Sequence, residues 1–167
     1  EPEGVLASPD GRRVYVASEV ANMVHVIDLA SRKLEANIVV GNRPRRFAMT
    51  PDGKQLWVTN ELSGDVSVID TASNTVVDTV KFEPRGFRVE EVTPVGIAMD
   101  AGGQRAYVTL GRANHFAVVD VPGRKATHYV LVGKRAWGLA LNADGSRLYV
   151  TNGLSDDMSV VDTKRLK

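Results

Sequence analysis

The chain has 167 residues, 43% of them hydrophobic, so it can bury a packed core and does not have the composition of a disordered segment. Lysine and arginine total 21 against 20 aspartates and glutamates, and a net charge of +1 supplies no global field for nucleic acid or an anionic membrane. With no cysteine there are no disulfides, thiolate zinc sites, iron-sulfur clusters or cysteine nucleophiles; no apolar run approaches the roughly 18–20 residues of a membrane span, and Glu1-Pro2-Glu3-Gly4 is not a signal peptide.

From the N-terminus onward, one pattern is written four times. Ser8-Pro9-Asp10-Gly11 recurs as Thr50-Pro51-Asp52-Gly53, Asp100-Ala101-Gly102-Gly103 and Asn142-Ala143-Asp144-Gly145. Val26-Ile27-Asp28 recurs as Val68-Ile69-Asp70, Val118-Val119-Asp120 and Val160-Val161-Asp162, and both anchors step by 42, 50 and 42 residues. Between them lie Val14-Tyr15-Val16-Ala17-Ser18, Leu56-Trp57-Val58-Thr59-Asn60, Ala106-Tyr107-Val108-Thr109-Leu110 and Leu148-Tyr149-Val150-Thr151-Asn152. Each unit predicts four short strands, because β-branched and aromatic residues cluster in runs bounded by turn residues. In the second unit these are about Arg46 to Thr50, Gln55 to Asn60, Asp65 to Asp70 and Thr75 to Lys81. Proline presets φ in the first hairpin, aspartate bonds the following backbone, and glycine accepts positive φ; Asp70 to Asn74 makes the second hairpin by similar side-chain bonds.

Four strands per period of about 42 residues predict an all-β fold of the β-propeller kind, in preference to a β-sandwich. The second and third strands of each unit read as near-continuous apolar runs, as a blade packed on both faces requires. The expected organisation is blade 1 over about 2–42, blade 2 over 43–82, a rim insertion over 83–93, blade 3 over 94–134 and blade 4 over 135–167, the last lacking a full outer strand. The chain is then an open arc or part of a ring of about seven blades, a fragment or a protomer completed by another chain, with self-association through the open blade faces.

The third string of the unit, intact as Tyr149-Val150-Thr151-Asn152 and nearly so at Trp57-Val58-Thr59-Asn60 and Tyr107-Val108-Thr109-Leu110, resembles the YVTN β-propeller repeat family over almost the whole chain. Within it, the sequence is most similar to bacterial propellers associated with pyrroloquinoline-quinone (PQQ)-dependent alcohol catabolism. That resemblance implies a periplasmic or secreted protein without an established catalytic site. Related blades also build the haem-d-binding domain of periplasmic nitrite reductases, surface-layer proteins and lactonases, so the fold alone does not select a function.

Candidate chemistry is sparse. His25, His115 and His128 show no paired-ligand spacing, no metal site or cofactor is evident, and no Gly-x-Ser-x-Gly elbow, Walker loop or dinucleotide glycine pattern occurs. Asp10, Asp52 and Asp144 sit in repeated turns and read as structural. The candidate ligand residues are cations expected near the channel mouth, where each unit's innermost strand begins: Arg43, Arg45 and Arg46, then Arg85 and Arg88 of the insertion, then Arg135 with Trp137. Converging guanidinium groups beside an aromatic face suit a carboxylate or a planar anion, although ordinary solvated loops carry the same residues. The expected function is therefore a non-catalytic scaffold binding a protein or small anionic ligand, with no nucleic acid partner. The alternatives are a lactonase-like hydrolase, a haem- or quinone-associated redox propeller, and a structural segment of a surface protein.

Overall fold

The repeated turn explains why the strands start where they do. In a computed structural model describing all residues, 1–167, the first side chain of each turn accepts a hydrogen bond from the backbone N–H five residues later. Ser8 Oγ takes it from Arg13 (2.9 Å), Thr50 Oγ1 from Gln55 (3.0 Å), Asp100 Oδ1 from Arg105 (3.1 Å) and Asn142 Oδ1 from Arg147 (2.9 Å). Four residue types thus perform one task, because each carries a short side chain ending in an acceptor oxygen. Gly11, Gly53, Gly103 and Gly145 close these turns in the left-handed region, φ +63 to +70°.

The strands are β1 (Pro2–Ala7), β2 (Arg13–Ser18), β3 (Met23–Asp28), β4 (Lys33–Val39), β5 (Pro44–Met49), β6 (Gln55–Asn60), β7 (Asp65–Asp70) and β8 (Thr75–Lys81). After a 3-10 turn at Val89–Glu91 come β9 (Pro94–Met99), β10 (Arg105–Leu110), β11 (His115–Asp120), β12 (Lys125–Leu131), β13 (Ala136–Leu141), β14 (Arg147–Asn152) and β15 (Asp157–Asp162). They form antiparallel sheets in the orders β1-β2-β3-β4, β5-β6-β7-β8 and β9-β10-β11-β12, and a three-stranded sheet β13-β14-β15. The innermost strands touch in series, β1 to β5 to β9 to β13, so the sheets fan around one axis as propeller blades. The expected all-β propeller fold is the observed one.

Three apolar layers hold the fan. Tyr15, Val24 and Val26 meet Leu56, Val58 and Ile69; Trp57, Val66 and Val68 meet Ala106, Val108 and Val119; Tyr107, Phe116 and Val118 meet Leu148, Val150 and Val161. The middle two sheets bury both faces, so β6, β7, β10 and β11 are nearly continuous in burial. The end sheets are packed on one face, as an open arc requires. Burial in β2, β3 and β14 follows the strand period, because each end sheet has a neighbour on one side only.

The innermost strands also begin earlier than the apolar pattern predicts, at Pro44 rather than Arg46 in the second unit. Each carries a bulge two to three residues in, between Pro2 and Val5, Pro44 and Phe47, Pro94 and Ile97, and Ala136 and Leu139. The extra residue bends the strand and re-aims its side chains at the end of the blade nearest the axis.

Candidate functional site

The bulges place four quasi-equivalent residues at one end of the axis: Glu3, Arg45, Val95 and Trp137. The surrounding frame is repetitive. Thr59 and Thr109, from the repeated Val-Thr string, each accept the N–H of the neighbouring bulge residue, from Arg46 (3.0 Å) and Gly96 (2.7 Å). Each donates its own hydroxyl proton to the next sheet, Thr59 to the Val95 carbonyl (2.7 Å) and Thr109 to that of Trp137 (2.6 Å). Asn60 and Asn152 reach back across their hairpins to Asp65 and Asp157 through Nδ2. Burial holds the Asp65 carboxyl above the usual carboxylate range, opposed by the Asn60 bond.

Within this frame Arg45 is 6% exposed and Glu61, at the head of the β6–β7 hairpin, 4%. Arg45 Nε donates to Glu61 Oε2 (2.6 Å), and its Nη1 donates to Glu19 Oε2 (2.9 Å) and lies 3.4 Å from Glu3 Oε1. Arg43 Nε sits 2.6 Å from Glu19 Oε1 and 3.5 Å from Glu61 Oε2, and Arg46 pairs with Glu3. The guanidinium groups of Arg45 and Arg135 both lie over the Trp137 ring, 5.7 and 5.1 Å from its centroid. Arg135 reaches Glu61 at 3.8 Å, from the fourth sheet to the second. Arg43 and Arg135 occupy the same turn position, both at φ +60°, their N–H groups held by Asn22 and Asn114 Oδ1.

The structure therefore brings Arg43, Arg45, Arg46, Arg135 and Trp137 together. Arg85 and Arg88 stay exposed on the insertion and make no ion pair with that group. There Phe82 is buried, Phe87 packs edge-on to His115 at 5.6 Å, and Glu83 N–H donates to the Tyr129 hydroxyl. The partners absent from the sequence reading are Glu3, Glu19 and Glu61. Their signal was positional: both Glu19 and Glu61 directly follow the repeated string, where the third and fourth units have Gly111 and Gly153. Four guanidinium groups against three carboxylates leave one positive charge in excess at the mouth. The Arg45 guanidinium is spent internally, so the cationic groups open to a ligand are those of Arg43, Arg46 and Arg135.

No curated protein matches the sequence significantly. The family model for the cytochrome D1 heme domain matches residues 3–95, more than half of the chain. The chain belongs to the cytochrome D1 heme domain family. Among solved structures, this cytochrome D1-type chain is similar to the hydrazine synthase of Kuenenia stuttgartiensis, at 22% identity and a TM-score of 0.88, covering 98% of this chain and 46% of that one. It is also similar to a provisionally assigned 6-phosphogluconolactonase from Bacteroides uniformis ATCC 8492, at 16% identity and a TM-score of 0.82, covering 97% and 50%. The chain thus spans about half the length of these structures, and the likeness concerns fold.

The family name carries a haem, and the mouth of this cytochrome D1-type chain suits only part of such a group. Exposed guanidinium groups suit its carboxylates, but no histidine stands there to bind iron. His25 lies in β3 with Nδ1 2.6 Å from Asn37 Oδ1, His115 begins β11 against Phe87, and His128 lies in the outer strand β12. The mouth therefore offers partners for haem carboxylates and no imidazole for its iron. No helix is long and apolar enough to cross a membrane.

Proposed function

We propose that the chain is a non-catalytic binding scaffold whose channel mouth takes a small planar ligand bearing carboxylates. The observation that carries this reading is the contrast between frame and mouth. The turn repeats in all four blades and the threonine in three, with asparagine after it in two, whereas the four equivalent bulge positions hold Glu3, Arg45, Val95 and Trp137, with no two alike. Repetition serves the blades, and individual residues on a rigid frame serve recognition. Each mouth carboxylate already faces a guanidinium, which argues for recognition over acid-base chemistry. The resemblance to propellers of PQQ-dependent catabolism supports a tricarboxylate quinone as the ligand class and a periplasmic or secreted setting. Family membership supports a second reading, a haem-type tetrapyrrole held by its carboxylates with its iron ligand supplied from outside these sheets.

Trp57 is fully buried between sheets, so a change in tryptophan emission on titration reports Trp137. Titration with PQQ is expected to quench that emission saturably and to weaken at least tenfold in Arg46→Ala/Arg135→Ala. Ferric protoporphyrin in a parallel titration, followed by its Soret band, separates the second reading. Quenching that is unchanged in the double variant would remove the mouth as the site.

A further inference from the structure

At the end of the blades opposite the mouth, the second strand of each sheet opens on an equivalent residue: Arg13, Gln55, Arg105 and Arg147. In the first sheet that residue holds a carboxylate. Arg13 Nε donates to Glu35 Oε2 (2.8 Å), its Nη2 pairs with Glu35 Oε1, and its Nη1 donates to the Thr71 carbonyl of the second sheet (2.8 Å). Both oxygens of one carboxylate thus lie in the fork of a guanidinium that bridges two sheets. Gln55 has a different task and accepts from Trp57 Nε1 (3.2 Å).

Arg105 repeats the setting of Arg13 without its carboxylate. Each stands in register with the aspartate that closes the third strand, Asp28 or Asp120, and beside the tyrosine hydroxyl two places along, on the same side of the strand. The following sheet is prepared alike: Thr71 and Thr163 each donate their hydroxyl to a turn-glycine carbonyl, Gly53 and Gly145, at 2.7 Å. Glu35 is the bulge residue of β4, whereas the bulge of β12 holds Thr127, whose hydroxyl donates to the Val118 carbonyl (3.1 Å). Arg105 is exposed and forms no ion pair. Two further changes accompany the loss of the carboxylate. His128 stands where the first sheet has Ala36, and Lys164 where the second has Ala72.

Two hollows, of about 510 and 330 Å³, meet at Arg105; Thr163 and Lys164 line both, and His128 lines the smaller. In the first two sheets, both four-stranded, the hollow around Arg13 takes no residue from the outer strand β8, so its counterpart at Arg105 needs none from the fourth sheet. The acids on the borders are committed to their own turns. Asp100, Asp120 and Asp144 accept the backbone N–H groups of Gln104, Gly123 and Ser146 at 2.7–2.8 Å.

We infer that the gap between the third and fourth sheets binds a small organic carboxylate, which takes on Arg105 the place that Glu35 takes on Arg13. Lys164 lends a second cation, and the larger hollow, of a size usual for small-molecule sites, holds the rest of the ligand. The site is independent of whatever the mouth binds.

Titration of the 167-residue chain with sodium acetate, followed in ¹H–¹⁵N spectra against sodium chloride at equal ionic strength, tests the assignment. The Arg105 Nε–H and the backbone N–H signals of Thr127 and Lys164 are expected to shift saturably with acetate alone, and to do so equally in the mouth variant Arg46→Ala/Arg135→Ala. Arg105→Ala is expected to weaken acetate binding by about tenfold or more, read at Thr127 and Lys164. Thr127→Glu supplies the carboxylate from within, as the first sheet does, and is expected to abolish the response. Arg147→Ala removes the equivalent arginine that has no gap beside it and is expected to leave the response intact. Glu35→Thr/Ala72→Lys rebuilds the gap between the first two sheets and is expected to add a saturable response at Arg13. Equal shifts with chloride, a response that survives Arg105→Ala or Thr127→Glu, or a rebuilt gap that stays silent would overturn the inference. Inorganic phosphate binding more tightly than acetate would overturn the carboxylate as the ligand class.

Discussion

Arg45 is the residue on which the mouth turns. Its guanidinium is buried, yet three carboxylates and one indole face surround it, so removing it strands Glu61 in the interior with only more distant cations. Arg45→Ala is expected to lower unfolding free energy by about 3–5 kcal/mol, the range for breaking one partner from a buried pair. Arg46→Ala, at a half-exposed pair with Glu3, is expected to change it by less than about 1 kcal/mol. Urea denaturation of the two variants checks the contrast, and equal losses would deny Arg45 its special place. The cations were legible in the sequence because they cluster where each innermost strand begins. Their partners were not, because Glu19 and Glu61 stand on separate hairpins and resemble ordinary solvent-facing charges until the fan brings them together.

At the level of the strand, the repeated Val-Thr string has a physical explanation. Alternate residues of a strand face opposite sides, so a tyrosine or tryptophan and the threonine two places later share the face toward the next blade, one packing and the other bonding. Thr109→Val replaces a bridge between the Gly96 N–H and the Trp137 carbonyl with a methyl group, leaving the buried N–H and the part-buried carbonyl without that partner. A loss of about 1–3 kcal/mol is expected. Thr151→Val, whose hydroxyl bonds only Gly138 of its own sheet, is expected to cost less; denaturation midpoints of the two variants decide whether the bridge or the residue type matters. The hairpin-bounded strands were legible to the residue in the second unit, since turn chemistry marks both ends. The bulges were not: Arg45 and Arg46 interrupt the apolar pattern, and nothing local announces that the ladder continues through them to Pro44.

Over the whole molecule, acid should act through the repeated turns. Hydroxyl and backbone N–H donors hold the carboxyls of Asp10, Asp28, Asp52, Asp70, Asp144 and Asp162 below the usual carboxylate range. A folded value below the unfolded one contributes stability that is complete above the unfolded value, about 3.9, and is lost as pH falls through the folded value. Asp65, raised by burial, works the other way, its contribution complete below the unfolded value and lost as pH rises through its folded one. The six turn residues outnumber it, so the urea midpoint is expected to hold steady near neutrality and decline only below about pH 4. Asp52→Asn, which keeps the acceptor oxygen but cannot titrate, is expected to make that decline shallower, and an unchanged slope would exclude the turns as its origin. One contact gives this architecture a further property. The reach of Arg135 to Glu61 joins the fourth sheet directly to the second, a chord drawn across an arc whose curvature the apolar layers set. A ligand that draws Arg135 outward gives up that chord, so filling the centre exchanges a tie between two sheets for a tie to the guest.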